Sequence, residues 1–111
     1  MKSKWYKIGR NHGENAGLDA FPRTDWMSRS ERLSVSKKVI DGIKDGDPEV
    51  MDLCPNPLSG EWAGESLREI FGRFPTESMM NNYEMGYQDG FFSSLESRAN
   101  SEISCLDKLN P

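Results

Sequence analysis

The segment Tyr83-Glu-Met-Gly-Tyr-Gln-Asp-Gly90 has a counterpart near the start of the chain, Tyr6-Lys-Ile-Gly-Arg-Asn-His-Gly13. The two segments align without gaps, and in each a tyrosine is followed by two glycines four residues apart. Residues four apart lie on one side of an α-helix, and glycine has no side chain to hold a second helix away. The repeat therefore predicts two helices that cross closely, within one chain or across a homodimer, through Gly9, Gly13, Gly86 and Gly90.

Length and composition predict a single domain covering residues 1–111. Only 35% of the chain is hydrophobic and its mean hydropathy is −0.74, so the core is modest and a partner or second copy would add buried surface. The sequence has no long apolar run, so no membrane span is expected. Met1–Lys4 is not followed by an apolar stretch, so no signal peptide is expected either. The two cysteines, Cys54 and Cys105, are expected to stay reduced in a cytoplasm.

Helical periodicity and capping residues predict an all-α, compact bundle of about four helices without strands. The first helix is expected over residues 3–18, with an apolar stripe of Trp5, Ile8, His12 and Ala16. Its three glycines each weaken a helix by about 1 kcal/mol relative to alanine. A close helix crossing would offset that loss. The alternative is that the helix breaks near Gly13 and continues as a loop.

The remaining helix boundaries follow from caps and breakers. Ser28 and Glu31 form a capping-box pattern that opens a second helix through about residue 44, with Gly46 as its stop. Asp47 and Pro48 are typical of the start of a helix, here a single turn through residue 53. A third main helix is expected over 59–71 and a last one over 76–99. The main face of the last helix comprises Met79, Met80, Tyr83, Gly86, Tyr87, Gly90 and Ser94. Residues 100–111 are predicted to be a loosely held tail, with the alternative that Ile103, Leu106 and Leu109 dock as a last turn.

Catalytic and metal-binding motifs are missing from the sequence. His12 is the one histidine, and the two cysteines stand alone, so a zinc site lacks ligands. Residues 41–52 follow part of the calcium-binding EF-hand template, but Ile43 and Pro48 do not suit it, and an acidic turn between helices is the better interpretation. No nucleophile has a base beside it in a known motif. The sequence predicts neither an enzyme nor a cofactor.

Charge is distributed unevenly along the chain. Residues 1–44 have a net charge of +5 and residues 45–111 a net charge of −9, for a total of −4. The halves either attract each other within the fold or face different partners. One hypothesis is a small nucleic-acid-binding regulator that uses the basic N-terminal half. Its candidate contacts are Lys4, Lys7, Arg10, Arg29, Arg32, Lys37 and Lys38.

A protein-binding surface is the leading hypothesis. Glu61, Glu65 and Glu69 recur at four-residue steps and form an acidic ridge beside Trp62. Met85 and Phe92 are expected on the back of the last helix, seven residues apart. Large apolar residues rimmed by charge are typical of protein interfaces. The surface therefore predicts non-enzymatic binding of another protein, and its acidic ridge suits a basic partner.

The segment Asn56-Pro-Leu-Ser-Gly-Glu-Trp62, placed ahead of a Tyr-x-x-Gly-x-x-x-Gly helix in a short acidic chain, resembles the small accessory proteins that bacteriophages encode. That class includes inhibitors of host defence such as anti-CRISPR proteins. The resemblance is one of size, composition and layout, so it transfers no functional residue. It implies a stoichiometric binder of a host protein or complex, acting in the host cytoplasm.

Overall fold

The computed structural model describes residues 3–58 and 68–108. Four helices are bounded within them: α1 (Lys4–Ala20), α2 (Arg29–Asp45), α3 (Pro48–Met51) and α4 (Glu77–Lys108). Residues 68–71 are also helical, and the described residues contain no strand, so the all-α prediction is confirmed. At 1.5 Å per residue the 32-residue α4 is about 48 Å long. It therefore accounts for most of the molecule's 55 Å long axis.

Local caps place the helix boundaries where the sequence predicts them. Ser3 Oγ accepts a hydrogen bond from the Tyr6 amide at the start of α1. Ser28 Oγ accepts from the Glu31 amide at 3.3 Å and donates to the Glu31 carboxylate at 3.0 Å. Gly46 ends α2 in the left-handed conformation, with φ of 72°, as expected of a glycine stop. The Asp47 carboxylate caps the Glu49 amide at 2.9 Å, and Pro48 occupies the first turn of α3.

Helices α1 and α4 cross through their glycines with backbone in contact with backbone. A Cβ atom added at Gly9 would overlap the carbonyl oxygen of Tyr83, and one added at Gly13 would overlap that of Tyr87. Gly86 faces the carbonyl of Tyr6 in the same way, and Gly90 faces that of Arg10. Only glycine permits this approach, which also aims Cα–H groups at carbonyl oxygens. The predicted glycine crossing is confirmed, and it lies within one chain.

The two helices are parallel and related by a local two-fold symmetry. Contacts advance together along both helices, from Gly9 against Tyr83 to Gly17 against Phe91. Gly9 and Gly86 are 77 residues apart, and so are Tyr6 and Tyr83. Exchanging the two helices by this offset therefore converts the contact of Gly9 with Tyr83 into the contact of Gly86 with Tyr6. The sequence repeat has the same offset, because Tyr6 aligns with Tyr83. The internal repeat is therefore used as a pair of matching helix faces.

Helix α2 runs antiparallel to α4 and covers its C-terminal half. Arg29 at the start of α2 donates from Nε to the carbonyl oxygen of Leu106 at 3.3 Å. Arg32, one turn later, binds Glu102. The buried core between the helices consists of Phe21, Val39, Val50, Phe71, Met79, Tyr83, Tyr87, Phe91, Leu95 and Ala99. Phe91 and Leu95 are completely buried, although neither belongs to the face predicted for the last helix.

The predicted loose tail at residues 100–111 is wrong for the described residues 100–108. Helix α4 continues to Lys108 without a break. Glu102 and Leu106 are 5% and 1% exposed because α2 and the loop before it pack against them. The C-terminal turns, including the Leu106 of the alternative docked turn, are stabilised by contacts with residues 70 or more positions earlier in the chain. Residues 109–111 lie outside the described residues.

Helix α1 is continuous, so the alternative break at Gly13 is not found. Its predicted apolar stripe is displaced from the buried centre, which consists of Tyr6, Gly9, Gly13 and Gly17. Trp5, Ile8 and Ala16 flank this line half-buried, and His12 is exposed. His12, which the sequence places on the apolar stripe, therefore lies outside the core, although its Nδ1 lies 2.7 Å from the Tyr83 hydroxyl. The most deeply buried residues of α1 are therefore set by backbone contact through glycine, and not by the size of the side chains.

The predicted helix over 59–71 is visible in part. Residues 68–71 are helical and Gly72 follows with φ of 73°, as expected of a stop residue. Phe71 is buried, with its ring 4.8 Å from that of Trp5 and 5.5 Å from that of Tyr83. Residues 59–67 lie outside the described part of the chain.

Candidate partner-binding surface

A cleft of about 240 Å³ lies between α4 and the connector that follows α3. The connector supplies one wall and three residues of α4 supply the other. Its lining residues are Met51, Cys54, Pro55, Asn56, Pro57, Glu84, Gln88 and Phe92. Pockets for drug-sized molecules usually enclose roughly 300–1,000 Å³. This cleft is smaller, and its size suits one or two side chains of a protein partner.

The connector wall is held by local hydrogen bonds. The Cys54 amide donates to the Met51 carbonyl at 3.2 Å, which continues α3 by one tight turn. The Asn56 side-chain oxygen then accepts from the Leu58 amide at 3.0 Å. Proline at positions 55 and 57 limits the remaining backbone freedom. Burial raises the pKa of the Cys54 thiol, which keeps this sulfur protonated and poorly nucleophilic.

One residue that the sequence predicts for partner binding, Phe92, lies in the α4 wall, and a second, Met85, lies on the same side of the helix outside the lining. Phe92 is half-buried, packs against the core and makes an edge-to-face contact with Phe91 at 5.2 Å. Met85 is 53% exposed two turns earlier on the same side of the helix. Glu69 is also exposed. Glu61, Trp62 and Glu65, the other residues of the predicted surface, lie outside the described residues.

The exposed side of α4 beside the cleft is acidic. Between Glu77 and Glu96 the helix carries four acidic residues and no lysine, arginine or histidine. Asp89 accepts a hydrogen bond from the Tyr6 hydroxyl at 2.5 Å. Glu84 is half-buried in the cleft wall and, among the residues described, its carboxylate has neither an ion pair nor a hydrogen bond. The Glu84 carboxylate is therefore available as a hydrogen-bond acceptor for a group that enters the cleft.

The basic residues proposed for nucleic-acid contact mostly have partners within the chain. Three form ion pairs: Arg10 with Glu14 at 3.1 Å, Arg32 with Glu102 at 2.6 Å and Lys38 with Glu49 at 3.1 Å. Arg29 donates to a backbone carbonyl, and Lys4 Nζ lies 5.0 Å from the centre of the Trp5 ring. Lys7 and Lys37 are exposed. Part of the charge asymmetry is thus used inside the fold, as the two ion pairs to residues 49 and 102 show.

The calcium-like segment 41–52 does not form an EF-hand loop. Asp41 and Asp45 belong to α2, and Asp47 uses its carboxylate to cap α3. Across residues 3–58 and 68–108, no group of three or more His, Cys, Asp or Glu residues is placed to hold a metal ion. The segment is an acidic turn between two helices, which agrees with the preferred interpretation of the sequence.

A buried polar cluster near the C-terminus was not anticipated from the sequence. Glu102 accepts hydrogen bonds from Thr24 at 2.9 Å and from Arg32 at 2.7 Å, and Arg98 lies 3.9 Å away. Burial by itself raises the pKa of Glu102, but these donors and charges outweigh it and lower the pKa overall. The cluster ties the α1–α2 loop to α2 and α4, so its role is structural. No local pattern marks it, because Thr24 and Arg32 lie 78 and 70 residues before Glu102 in the chain.

Further exposed apolar residues lie away from the cleft. Leu18 and Trp26 occupy the end of α1 and the turn after it, and Phe74 precedes α4. Sequence reasoning did not select these three. Trp26 lies between Pro22, which a helix interior does not tolerate, and the Ser28 cap, and this position indicates a turn.

Comparisons with protein-family models, with curated proteins and with solved structures find no match for this chain. Its fold and candidate surface therefore rest on its own residues. None of the described helices combines the length and the apolar composition needed to cross a membrane.

Proposed function

We propose that this protein is a binding module for another protein and that it acts without catalysing a reaction. The observation that carries the proposal is Met85, which is 53% exposed on α4 beside the cleft that Phe92 lines. Complete burial of a methionine side chain is favourable by roughly 1.5–3 kcal/mol, and a partner covering Met85 would recover the part that the free protein forgoes. Methionine also adapts its shape to the surface that covers it.

The surroundings of Met85 support an interface with a polar rim. Phe92 provides a rigid aromatic wall, while Glu84 and Gln88 stand at the edge of the cleft. Central apolar anchors surrounded by polar side chains are the usual arrangement of binding hot spots. The acidic ridge of Glu61, Glu65 and Glu69, together with Trp62, follows the connector in sequence, and we propose that these residues belong to the same surface.

The resemblance to small phage accessory proteins supports a host protein or complex as the partner. In this proposal the chain binds its target stoichiometrically and inhibits it by occupying a surface that the target needs. The nucleic-acid alternative has less support, because five of its seven basic residues have intramolecular contacts.

The test is an affinity capture from bacterial lysate with the tagged protein as bait, in the presence and absence of nuclease. Three baits are compared: the unchanged chain, Met85→Ser and Trp26→Ser. Trp26 is the matched control, since it is an exposed apolar residue in the α1–α2 turn. We expect a protein retained in stoichiometric amount by the unchanged chain and by Trp26→Ser, and lost from Met85→Ser, with or without nuclease.

Other results would overturn the proposal in distinguishable ways. Loss of all retained material on nuclease treatment would favour the nucleic-acid regulator. Retention by Met85→Ser but not by Trp26→Ser would move the interface to the α1–α2 turn. Each variant is checked by its melting temperature, which we expect to be unchanged because both side chains are largely in solvent.

A further inference from the structure

We infer that the cleft receives a short segment of the partner whose apolar anchor stands beside a lysine or arginine, with Glu84 accepting the cationic group. This inference rests on the proposed function and specifies the chemistry of the partner. It follows from three features of the cleft: its size, the unpaired carboxylate in its wall and the sign of the charge around it.

The size of the cleft favours a side chain as its occupant. At about 240 Å³ it is smaller than typical small-molecule sites. Its walls include the apolar side chains of Met51, Pro57 and Phe92, which an apolar anchor would contact. The connector wall is braced by local hydrogen bonds at Cys54 and Asn56, so this wall has a defined shape before a partner binds. A preformed wall avoids part of the ordering cost of binding.

The Glu84 carboxylate determines which polar group accompanies the anchor. It is half-buried, and among the described residues it has no donor. An ionised carboxylate that loses further water on binding needs a hydrogen-bond donor, and a cationic donor is favoured most strongly. Gln88, one turn further along α4, adds a neutral amide and no compensating charge.

The charge around the cleft also favours a cationic group on the partner. From Glu77 to Glu96 the helix has four acidic residues and no basic ones. Complementary charge accelerates encounter and excludes acidic competitors. Lysine and arginine also carry long apolar stems that pack against walls such as Phe92 while the charged end reaches a carboxylate. An apolar segment containing a basic residue therefore provides contacts for both the apolar walls and the carboxylate of the cleft.

The test is a selection from a displayed library of random peptides, with the full-length protein as bait. We expect the selected peptides to be enriched in lysine or arginine next to an aromatic or aliphatic residue. A selected peptide is then synthesised and titrated against the unchanged chain, Glu84→Gln, Met85→Ser and Asp107→Asn. Glu84→Gln should weaken binding by roughly tenfold, the loss of one charge-assisted hydrogen bond. Asp107→Asn removes an exposed acid of the same helix outside the acidic stretch 77–96, and it should leave the affinity unchanged.

The variants separate a failure of this inference from a failure of the proposed function. Peptides that lose binding to Met85→Ser but bind Glu84→Gln at full strength would overturn the basic occupant and leave the protein-binding surface intact. Peptides that bind all four proteins equally would place binding elsewhere and count against the surface itself. The inference would also be overturned if the selected peptides shared an acidic or uncharged consensus, or if no peptide were selected. Self-association of the bait through this face, detected by light scattering, would overturn it as well.

Discussion

Gly9 of α1 lies against the carbonyl group of Tyr83 in α4, so closely that a Cβ atom on Gly9 would stand 2.9 Å from the carbonyl carbon. The relationship is repeated with the helices exchanged, between Gly86 and Tyr6. Tyr83 in turn is buried, contacts the ring of Phe71 and reaches His12 through its hydroxyl. The backbone of one repeat thus forms the packing surface for the glycines of the other.

The first prediction is that Gly9→Ala destabilises the protein although alanine is the better helix former. Helix propensity alone favours alanine by about 1 kcal/mol. The added Cβ would overlap backbone atoms of Tyr83, which belong to a helix and cannot rotate aside. We expect a net loss of about 1–3 kcal/mol in the free energy of unfolding, measured by urea denaturation. Ser93→Ala, at an exposed position of α4, is the control and should be neutral or slightly stabilising. A more stable Gly9→Ala protein would contradict the close crossing.

The second prediction follows from the local symmetry. Gly86→Ala should lower the free energy of unfolding by an amount within about 1 kcal/mol of the Gly9→Ala loss, since each Cβ meets the equivalent carbonyl. Leucine at both Gly86 and Gly90 should prevent folding altogether, because two large side chains cannot enter a backbone contact. Circular dichroism and the melting temperature report both outcomes. An unchanged melting temperature for the double leucine variant would rule out the glycine interface.

The third prediction concerns the C-terminal turns of α4. Leu106 is 1% exposed, so Leu106→Ala should cost about 2–4 kcal/mol in unfolding free energy. Leu18→Ala is a matched control with the same chemistry, because Leu18 is 51% exposed and its truncation should change stability by less than about 0.5 kcal/mol. Equal effects of the two substitutions would show that residues 100–108 are a loose tail after all.

The fourth prediction is an acid dependence of stability at Glu102. Its pKa in the folded protein is lowered from the ordinary value of 4.5, with the donors Arg32 and Thr24 outweighing burial. The unfolded chain therefore binds the proton more tightly, and the stabilisation is fully present above pH 4.5 and lost as the pH falls toward the lowered pKa. Urea midpoints measured down through this range should fall less steeply for Glu102→Gln than for the unchanged protein. Glu96→Gln, which removes an exposed acid, should keep the original slope.

The fifth prediction concerns the alkaline range. Burial, and then the neighbouring Tyr87, raise the pKa of Tyr83 from 10 to about 12. The stabilisation is fully present below pH 10 and is lost as the pH rises through about 12, because the unfolded phenol ionises first. Phenolate absorbance should show a tyrosine that titrates above the ordinary range and disappears in Tyr83→Phe. Ordinary titration of every tyrosine in the folded protein would contradict the burial of this hydroxyl.

Several features could be predicted from the sequence because their causes are local. The Ser28 cap, the Gly46 stop and the Asp47-Pro48 start all depend on residues within one helical turn. Of the predicted binding surface, Met85 and Phe92 lie on one side of α4, as their seven-residue spacing indicates. The cleft beside them could not be predicted, since its other wall comes from residues 51–57.

The errors have non-local causes. The sequence predicts a loose tail from residue 100, yet Thr24, Arg29 and Arg32 supply the partners that hold residues 102–106 in the helix. Helical spacing places His12 on the apolar stripe of α1, but the most deeply buried residues of this helix are Tyr6 and the glycines. Phe91 and Leu95 are completely buried because the core extends beyond the glycine face to the side that α2 covers.

The sequence by itself determined the all-α class, most helix boundaries and the identity of the two glycine helices, because periodicity, caps and backbone sterics act within a few residues. Tertiary structure decided that the repeats pair in parallel inside one chain, that α4 extends to Lys108, and that Glu84 is left without a partner among the described residues. These outcomes depend on which distant surfaces meet. Burial and charge pairing are energies of the assembled fold, and no single segment contains them.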